Sequence, residues 1–395
     1  MRKDINRWSC LCLLLVVSAA CKREIHGPLE KGGNNPGALT NPVVENLPGA
    51  AKISYTLPDD GDVLYVTAEY EIRKGVKKEE KSSLYKSFLL LEGFADTLEH
   101  TVQMTVVSKS EKKSTPIIVK VKPLLPPYIA VFRSLVASTD FGGLSISYVN
   151  VNKADVAIMS LTDTTDGFTA VDNYYTKLPG GSFALRGYDS VARRFGFCVK
   201  DRWGNISDTM IKTFKPLYEV FLDKSKFQPV ELPGDVKSED NWGDMSLPRL
   251  WDTSPYGWDM WHSKPHGVPM WFTFDLGVTA QLSRFMMAQR QDDQSYMFAQ
   301  NNVKKYELWG STNPNPDGSF DGSWTKLVEH TVLKPSGLPV GQLSQADIDA
   351  VKQGDEINIP LTAPKIRYIR IKILEIWQTG GGAANISEVY FWGQP

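Results

Sequence analysis

The residues best equipped for chemistry lie in the last third of the 395-residue chain, where nine of the eleven tryptophans fall between Trp242 and Trp392. Three polar, aromatic stretches there show neither helical nor alternating period. The first, RLWDTSPYGWDMWHSKPHGVPMW from Arg249 to Trp271, offers Trp258, Trp261 and His262. The second, QRQDDQSYMFAQNN from Gln289 to Asn302, offers Arg290 and Tyr296. The third, IWQTGGGAAN from Ile376 to Asn385, sets Trp377 before three glycines that let backbone bend closely against a ligand. A sugar ring presents an apolar C–H face and a rim of hydroxyls, so tryptophans interleaved with short polar side chains suit it. Arg290 can donate paired hydrogen bonds to neighbouring hydroxyls, and Tyr296 can stack. Trp261, then Trp377, is the preferred single platform. A second reading stands beside each: a tryptophan here can cap the core, and Arg290 can close an internal ion pair.

Catalytic constellations are missing. The sequence has no Gly-x-Ser-x-Gly elbow, no Walker-type Gly-Lys-Ser/Thr and no Cys-x-x-Cys, and only five histidines. His262 and His266 are four apart, but Pro265 argues against the helix that would align them, and no glutamate follows His262 as in a zinc protease. Asp292 and Asp293 are adjacent in a polar loop, where side chains diverge instead of flanking one bond. No enzymatic activity is expected. A formal charge of -1 gives no long-range field for nucleic acid, which is excluded as a partner.

The elements that must carry these loops read as strands. The 31 glycines and 24 prolines punctuate short β-branched and aromatic runs. WFTFDLG (Trp271–Gly277), KKYELWGS (Lys304–Ser311) and KIRYIRIKI (Lys365–Ile373) alternate strictly, with Ile369, Ile371 and Ile373 facing one way and Arg370 and Lys372 the other. Upstream, Gly93–Pro123 can be laid on Gly187–Pro216, and Ala51–Tyr70 on Gly143–Leu161, a repeat of about 94 residues. In the second copy, Trp203 in the turn DRWGN is the best binding candidate, although an aromatic there more often packs on its own sandwich. Length and patterning give an all-β chain with three folded units.

At the N-terminus, Arg2, Lys3 and Arg7 precede an apolar run from Cys10 to Val17 and the small residues Ser18, Ala19 and Ala20, the order of a secretory signal peptide. The run is too short to span a bilayer core, which needs about 20 residues. Removal of the signal leaves Cys21 and Cys198, so no disulfide framework is expected, and Cys198 reads as a buried structural thiol. The Gly-, Asn- and Pro-rich stretch that follows reads as a flexible tether with an r.m.s. reach of roughly 25 Å.

Several of these features resemble known families. Ser18-Ala19-Ala20-Cys21 resembles a bacterial lipobox, which implies acylation of Cys21 and membrane attachment through the lipid. The repeated segments resemble tandem fibronectin type III domains. Asp275–Gly277, LSRFMMAQRQ (Leu282–Gln291), YELWGSTN (Tyr306–Asn313), WTKLVE (Trp324–Glu329), IRYIRIKI and ISEVYFWG (Ile386–Gly393) together resemble the discoidin, or coagulation-factor type C, domain. That is a jelly-roll sandwich of the galactose-binding-like group, and the resemblance implies that loops at one end bind ligand. It also implies a structural calcium near Asp252 and Glu388; no other cofactor is required. The arrangement as a whole is similar to Bacteroidota outer-membrane lipoproteins of glycan-utilisation systems. The expected layout is a signal peptide over 1–20, a tether over 21–42, fibronectin type III-like sandwiches over 43–123 and 124–218, and a discoidin-like carbohydrate-binding domain over 219–395. The function implied is non-catalytic glycan capture at the cell surface, beside glycan-uptake or glycoside hydrolase partners. The alternative is a structural adhesion or docking lipoprotein that binds a protein.

Overall fold

A computed structural model of the chain describes Pro28, Glu30 and residues 32–59, 61–254, 258–378, 380 and 382–395. The signal peptide and Cys21 lie outside the described residues. Alternating apolar positions build three separate cores. In the first, Thr40–Leu47, Ala50–Thr56 and Phe88–Glu92 form a three-stranded sheet. It faces a four-stranded one of order Val76–Ser83, Val63–Arg73, His100–Ser108 and Ile117–Val121. Ile53, Val66, Leu91, Val102 and Met104 are sealed between the layers. The expected tether is shorter than residue 42, because Leu39 is buried and the first strand starts at Thr40.

The second unit repeats this plan. Its sheets are Gly180–Arg186, Gly143–Val149, Val136–Asp140 and, opposite, Gly167–Thr176, Val156–Thr164, Arg193–Asp201, Met210–Phe214. One short helix, Pro127–Ser134, packs Tyr128 and Val131 into this core. Cys198 is a free, buried thiol in the Arg193–Asp201 strand.

Two joints connect the units. At the first, Trp203 of the second sandwich reaches across and packs on the first core instead of its own. Gly93, at φ +97, leaves the room: a Cβ there would lie 2.9 Å from the Trp203 ring. Arg73 donates to the Trp203 carbonyl at 3.0 Å, and Asn205 donates to the Gly93 carbonyl at 3.0 Å. At the second joint, Glu219 lies between Arg284 of the third unit, at 3.0 Å, and Arg186 of the second, at 3.4 Å. Arg186 also donates to Asn358 of the third unit at 2.8 Å.

The third unit is organised by one long strand, Met270–Ala288. Its first half pairs with Ile366–Ile376, followed in the sheet by Val303–Ser311 and Thr325–Thr331. A register break between Asp275 and Ala280 turns the chain, and the second half pairs with Glu388–Gln394 in the other layer. Gly277, at φ +67, permits this corner, where a Cβ would meet the Lys226 carbonyl at 2.3 Å. Ile369, Ile371 and Ile373 face the core as the alternation requires. Arg370, expected on the outer face, is also fully buried. The Phe320–Trp324 loop covers it, with both rings under the guanidinium, and Thr273 and the Gly318 carbonyl accept from it at 3.0 Å.

Candidate functional site

The three aromatic stretches are brought to one end of the third sandwich by backbone pairing. Trp261–His262 pairs antiparallel with Asn385–Ile386, and Asn302 bridges to Asn385. Glu239 N–H donates to the His262 carbonyl at 2.8 Å, which adds the turn that carries Trp242. Short strands with long loops between them therefore place residues 239–246, 258–262, 289–302, 377–378 and 382–385 side by side.

Arg290 is the centre of this end. It is 7% exposed, and its Nε and Nη2 grip both oxygens of Asp292 at 2.7 and 3.1 Å. The guanidinium lies 3.4 Å from the Tyr296 ring centroid and 4.7 Å from that of Trp258. Such stacking fixes a planar fork that Lys could not reproduce. Asn302 holds the backbone on either side, accepting from Arg290 N–H at 2.8 Å and donating to the Tyr296 carbonyl at 2.8 Å. Trp258 stays 50% exposed, and its indole N–H points to the Trp242 carbonyl at 3.4 Å. Trp242 is 55% exposed, with its edge on His262 at 5.3 Å. The result is an open surface of two half-exposed tryptophans and a tyrosine around an ion pair whose Nη1 is outside the pair. It can stack against an apolar ring face while donating and accepting hydrogen bonds at its centre.

Three of the expected site residues have other roles. Trp261 is a core residue with no exposed surface, its ring 4.2 Å from Phe272 and its N–H on Ser238 at 3.2 Å, so it is not a platform. His262 is buried beneath Trp242, between the Ser263 carbonyl at 2.8 Å and Asn301 at 3.2 Å. Burial lowers its imidazole below the usual range, against the pull of the Ser263 carbonyl, so it supports the surface as a neutral ring. Trp377 is half-buried, edge-on to Phe298 at 5.3 Å, with its N–H buried and unpaired. It packs on the core, and among the described residues its ring contacts Phe298, not Trp242, Trp258 or Tyr296. Sequence reasoning missed Trp242 as a site residue; the signal was a lone tryptophan in a polar Asx-rich turn, EDNWGD, where no core needs one.

The residues expected to hold calcium do not fit that ion. Calcium takes six to eight oxygen ligands. Here Asp252 is bonded to Arg249 at 3.0 Å and to the Ser254 N–H at 3.0 Å, while buried Glu388 gives Oε1 to an ion pair with Lys224 and leaves Oε2 without a hydrogen-bond partner among the described residues. Among the described residues no group of three or more His, Cys, Asp or Glu side chains is placed to hold a metal. The Lys224 ammonium lies 3.6 Å from the Tyr390 ring centroid. Burial pushes the Glu388 carboxyl up to about 7; Lys224 opposes that and the Asp252 charge adds to it. Burial also lowers the Lys224 ammonium.

A cleft of about 440 Å³ lies elsewhere, at the first joint, lined by Phe94, Pro126, Pro127, Tyr128 and Trp203. Its tryptophan offers no free face. Gly93 covers one side, and the Arg202 guanidinium lies 4.3 Å from the ring.

Three family models match the chain, each described as a domain of unknown function: DUF4959 over residues 36–123, DUF5126 over 124–225 and DUF5000 over 251–393. No curated protein matches. Among solved structures, a family 89 glycoside hydrolase from Clostridium perfringens is 16% identical with a TM-score of 0.28; the match covers 44% of this chain but 15% of that one. A two-domain fibronectin type III segment from chicken tenascin is 12% identical with a TM-score of 0.23, covering 45% of this chain and 98% of that one. At that level neither bears on function. SusE-like protein BT2857 is 34% identical, with a TM-score of 0.46, over 68% of this chain and 100% of its own length. On that identity, sustained across the whole of the relative, the chain belongs to the SusE-like proteins.

Proposed function

We propose that this chain is a non-catalytic lipoprotein of the outer membrane, displayed at the cell surface of a Bacteroidota glycan-utilisation system. In this reading it is anchored through acylated Cys21 and captures polysaccharide for uptake or hydrolase partners. Membership of the SusE-like family supports the setting. The observation that carries the binding role is the Trp258–Arg290–Tyr296 stack with Trp242 beside it. Half-exposed tryptophans are costly to leave in water unless a ligand covers them, and these flank a fixed donor and acceptor pair. Binding at one such surface is expected at micromolar to millimolar Kd, roughly -8 to -4 kcal/mol.

A glycan array followed by calorimetry on the full mature chain tests the reading. Trp258→Ala is expected to weaken binding at least about 10-fold, a loss of about 1.4 kcal/mol, with circular dichroism unchanged. Trp242→Ala should act in the same direction, and Trp203→Ala should leave affinity as it was. Absence of any glycan binding by the unmutated chain defeats the proposal.

A further inference from the structure

The charge arrangement around Arg290 narrows the ligand, an inference that rests on the glycan-binding reading above. Across residues 239–264 and 289–302 the binding end carries seven carboxylates and three cations, and residues 377–385 add no charge. Each cation is already engaged. Arg249 meets Asp244 at 3.1 Å, Asp252 at 3.0 Å and Asp259 at 3.9 Å; Lys264 holds Asp240 at 2.8 Å; and Arg290 holds Asp292 through two bonds. The remaining carboxylates stay ionised. Backbone hydrogen bonds from Asn241 and Asp240 hold Glu239 below its ordinary range, and the Ser295 hydroxyl and N–H do the same for Asp293.

An anionic sugar would need a free guanidinium or ammonium, because a sulfate or uronate stripped of water without a counter-charge is costly to hold. It would instead meet Asp292 and Asp293 at the centre and Asp259 beside Trp258. A neutral sugar meets the complementary case. Arg290 Nη1 donates to one hydroxyl, and the outer lone pairs of Asp292 accept from its neighbour, so adjacent hydroxyls bridge the two ends of the ion pair. We infer that the Trp242–Trp258–Arg290–Tyr296 surface selects uncharged hexose or N-acetylhexosamine units and rejects uronate and sulfated ones.

The test presents the full chain with neutral glucan, galactan, mannan and N-acetylglucosamine oligosaccharides alongside uronate and sulfated oligosaccharides of matched length. Affinities are measured by calorimetry at low and at raised salt. Neutral ligands are expected to bind at least about 10-fold more tightly than charged ones at low salt. The gap should shrink as ionic strength approaches about 0.5 M, where the screening length falls to a few ångströms. Asp293→Asn, which removes one charge and leaves the stack intact, should narrow the gap by about 3-fold. Equal or tighter binding of an anionic ligand, lost in Trp258→Ala, overturns the selectivity while leaving the glycan-binding reading intact. Binding of neither class overturns that reading itself, and the inference with it.

Discussion

Two clusters in the third sandwich are assembled from the same parts and put to opposite uses. At the binding end, a cation lies against Tyr296 and Trp258 and is held by Asp292; at the other cluster, Lys224 lies against Tyr390 and Phe221 and is held by Glu388. The difference is in what covers them. Loops leave Trp258 half in water and Asp292 reachable, whereas the lysine, held on the last strand by Glu388 and Tyr390, is only 6% exposed. A buried arginine whose carboxylate partner stays open to solvent keeps hydrogen-bonding capacity for a ligand on the carboxylate side. A sealed pair contributes nothing to binding, and each half depends on the other because an unpaired buried charge is strongly unfavourable. Position, not composition, separates a recognition surface from an internal cross-link.

The largest effect expected from breaking that comparison is at the sealed cluster. Lys224→Met leaves Glu388 without its partner and should cost about 3–5 kcal/mol in denaturant unfolding at pH 8. The double variant Lys224→Met with Glu388→Met should recover most of the loss, since an apolar pair needs no compensation. A single variant as stable as the unmutated chain would show that the pair is not the cross-link described.

Next in size is the dependence on pH. A carboxyl raised in the folded state to about 7 contributes stability that is fully present below its unfolded value, near 4.5, and lost as pH rises through about 7. The unfolding free energy should therefore fall between pH 5 and pH 8. Glu388→Gln should flatten that part of the profile, and a profile that keeps its slope in the variant would place the titration elsewhere.

Arg290→Lys probes the open cluster. The fold should be unaffected, because the loop is held through the Asn302 side chain and the Arg290 backbone. Sugar affinity should drop by about 1 kcal/mol as the planar fork and its stacking are lost. An unchanged affinity would show that the arginine only fills space. The smallest expected response is to calcium. An occupied structural site would add about 2.7 kcal/mol at a hundredfold excess over Kd. Here millimolar calcium and a chelator should give melting temperatures that agree within about 1 °C. A clear rise with calcium would contradict the misfit of Asp252 and Glu388.

Much of the architecture was legible from residue alternation. The period-2 runs around Ile371 and the internal repeat lead directly to all-β units, because one buried face of a strand fixes its register. The site was legible only as three stretches of chain. Trp258 and Trp261 are three residues apart in a segment without period, and nothing local says that one is exposed and the other sealed on Phe272. Arg370 shows the same limit, since the loop that covers it lies about 50 residues earlier. Lys224 and Glu388 are 164 positions apart, so their pairing is a product of the closed sandwich and has no local signature.

The joint at Gly93 has a mechanical consequence. With Trp203 seated on that glycine and Arg73 clasping the turn behind it, the first two sandwiches turn as one piece, and Glu219 between two arginines couples the third to them. In a copy anchored as proposed, the three units then move together as one arm. The tip sweeps a thin shell instead of a filled volume, which raises its local concentration at one height above the membrane. A long polymer lying at that height would be met by many copies at once, so weak individual contacts would add up to firm retention.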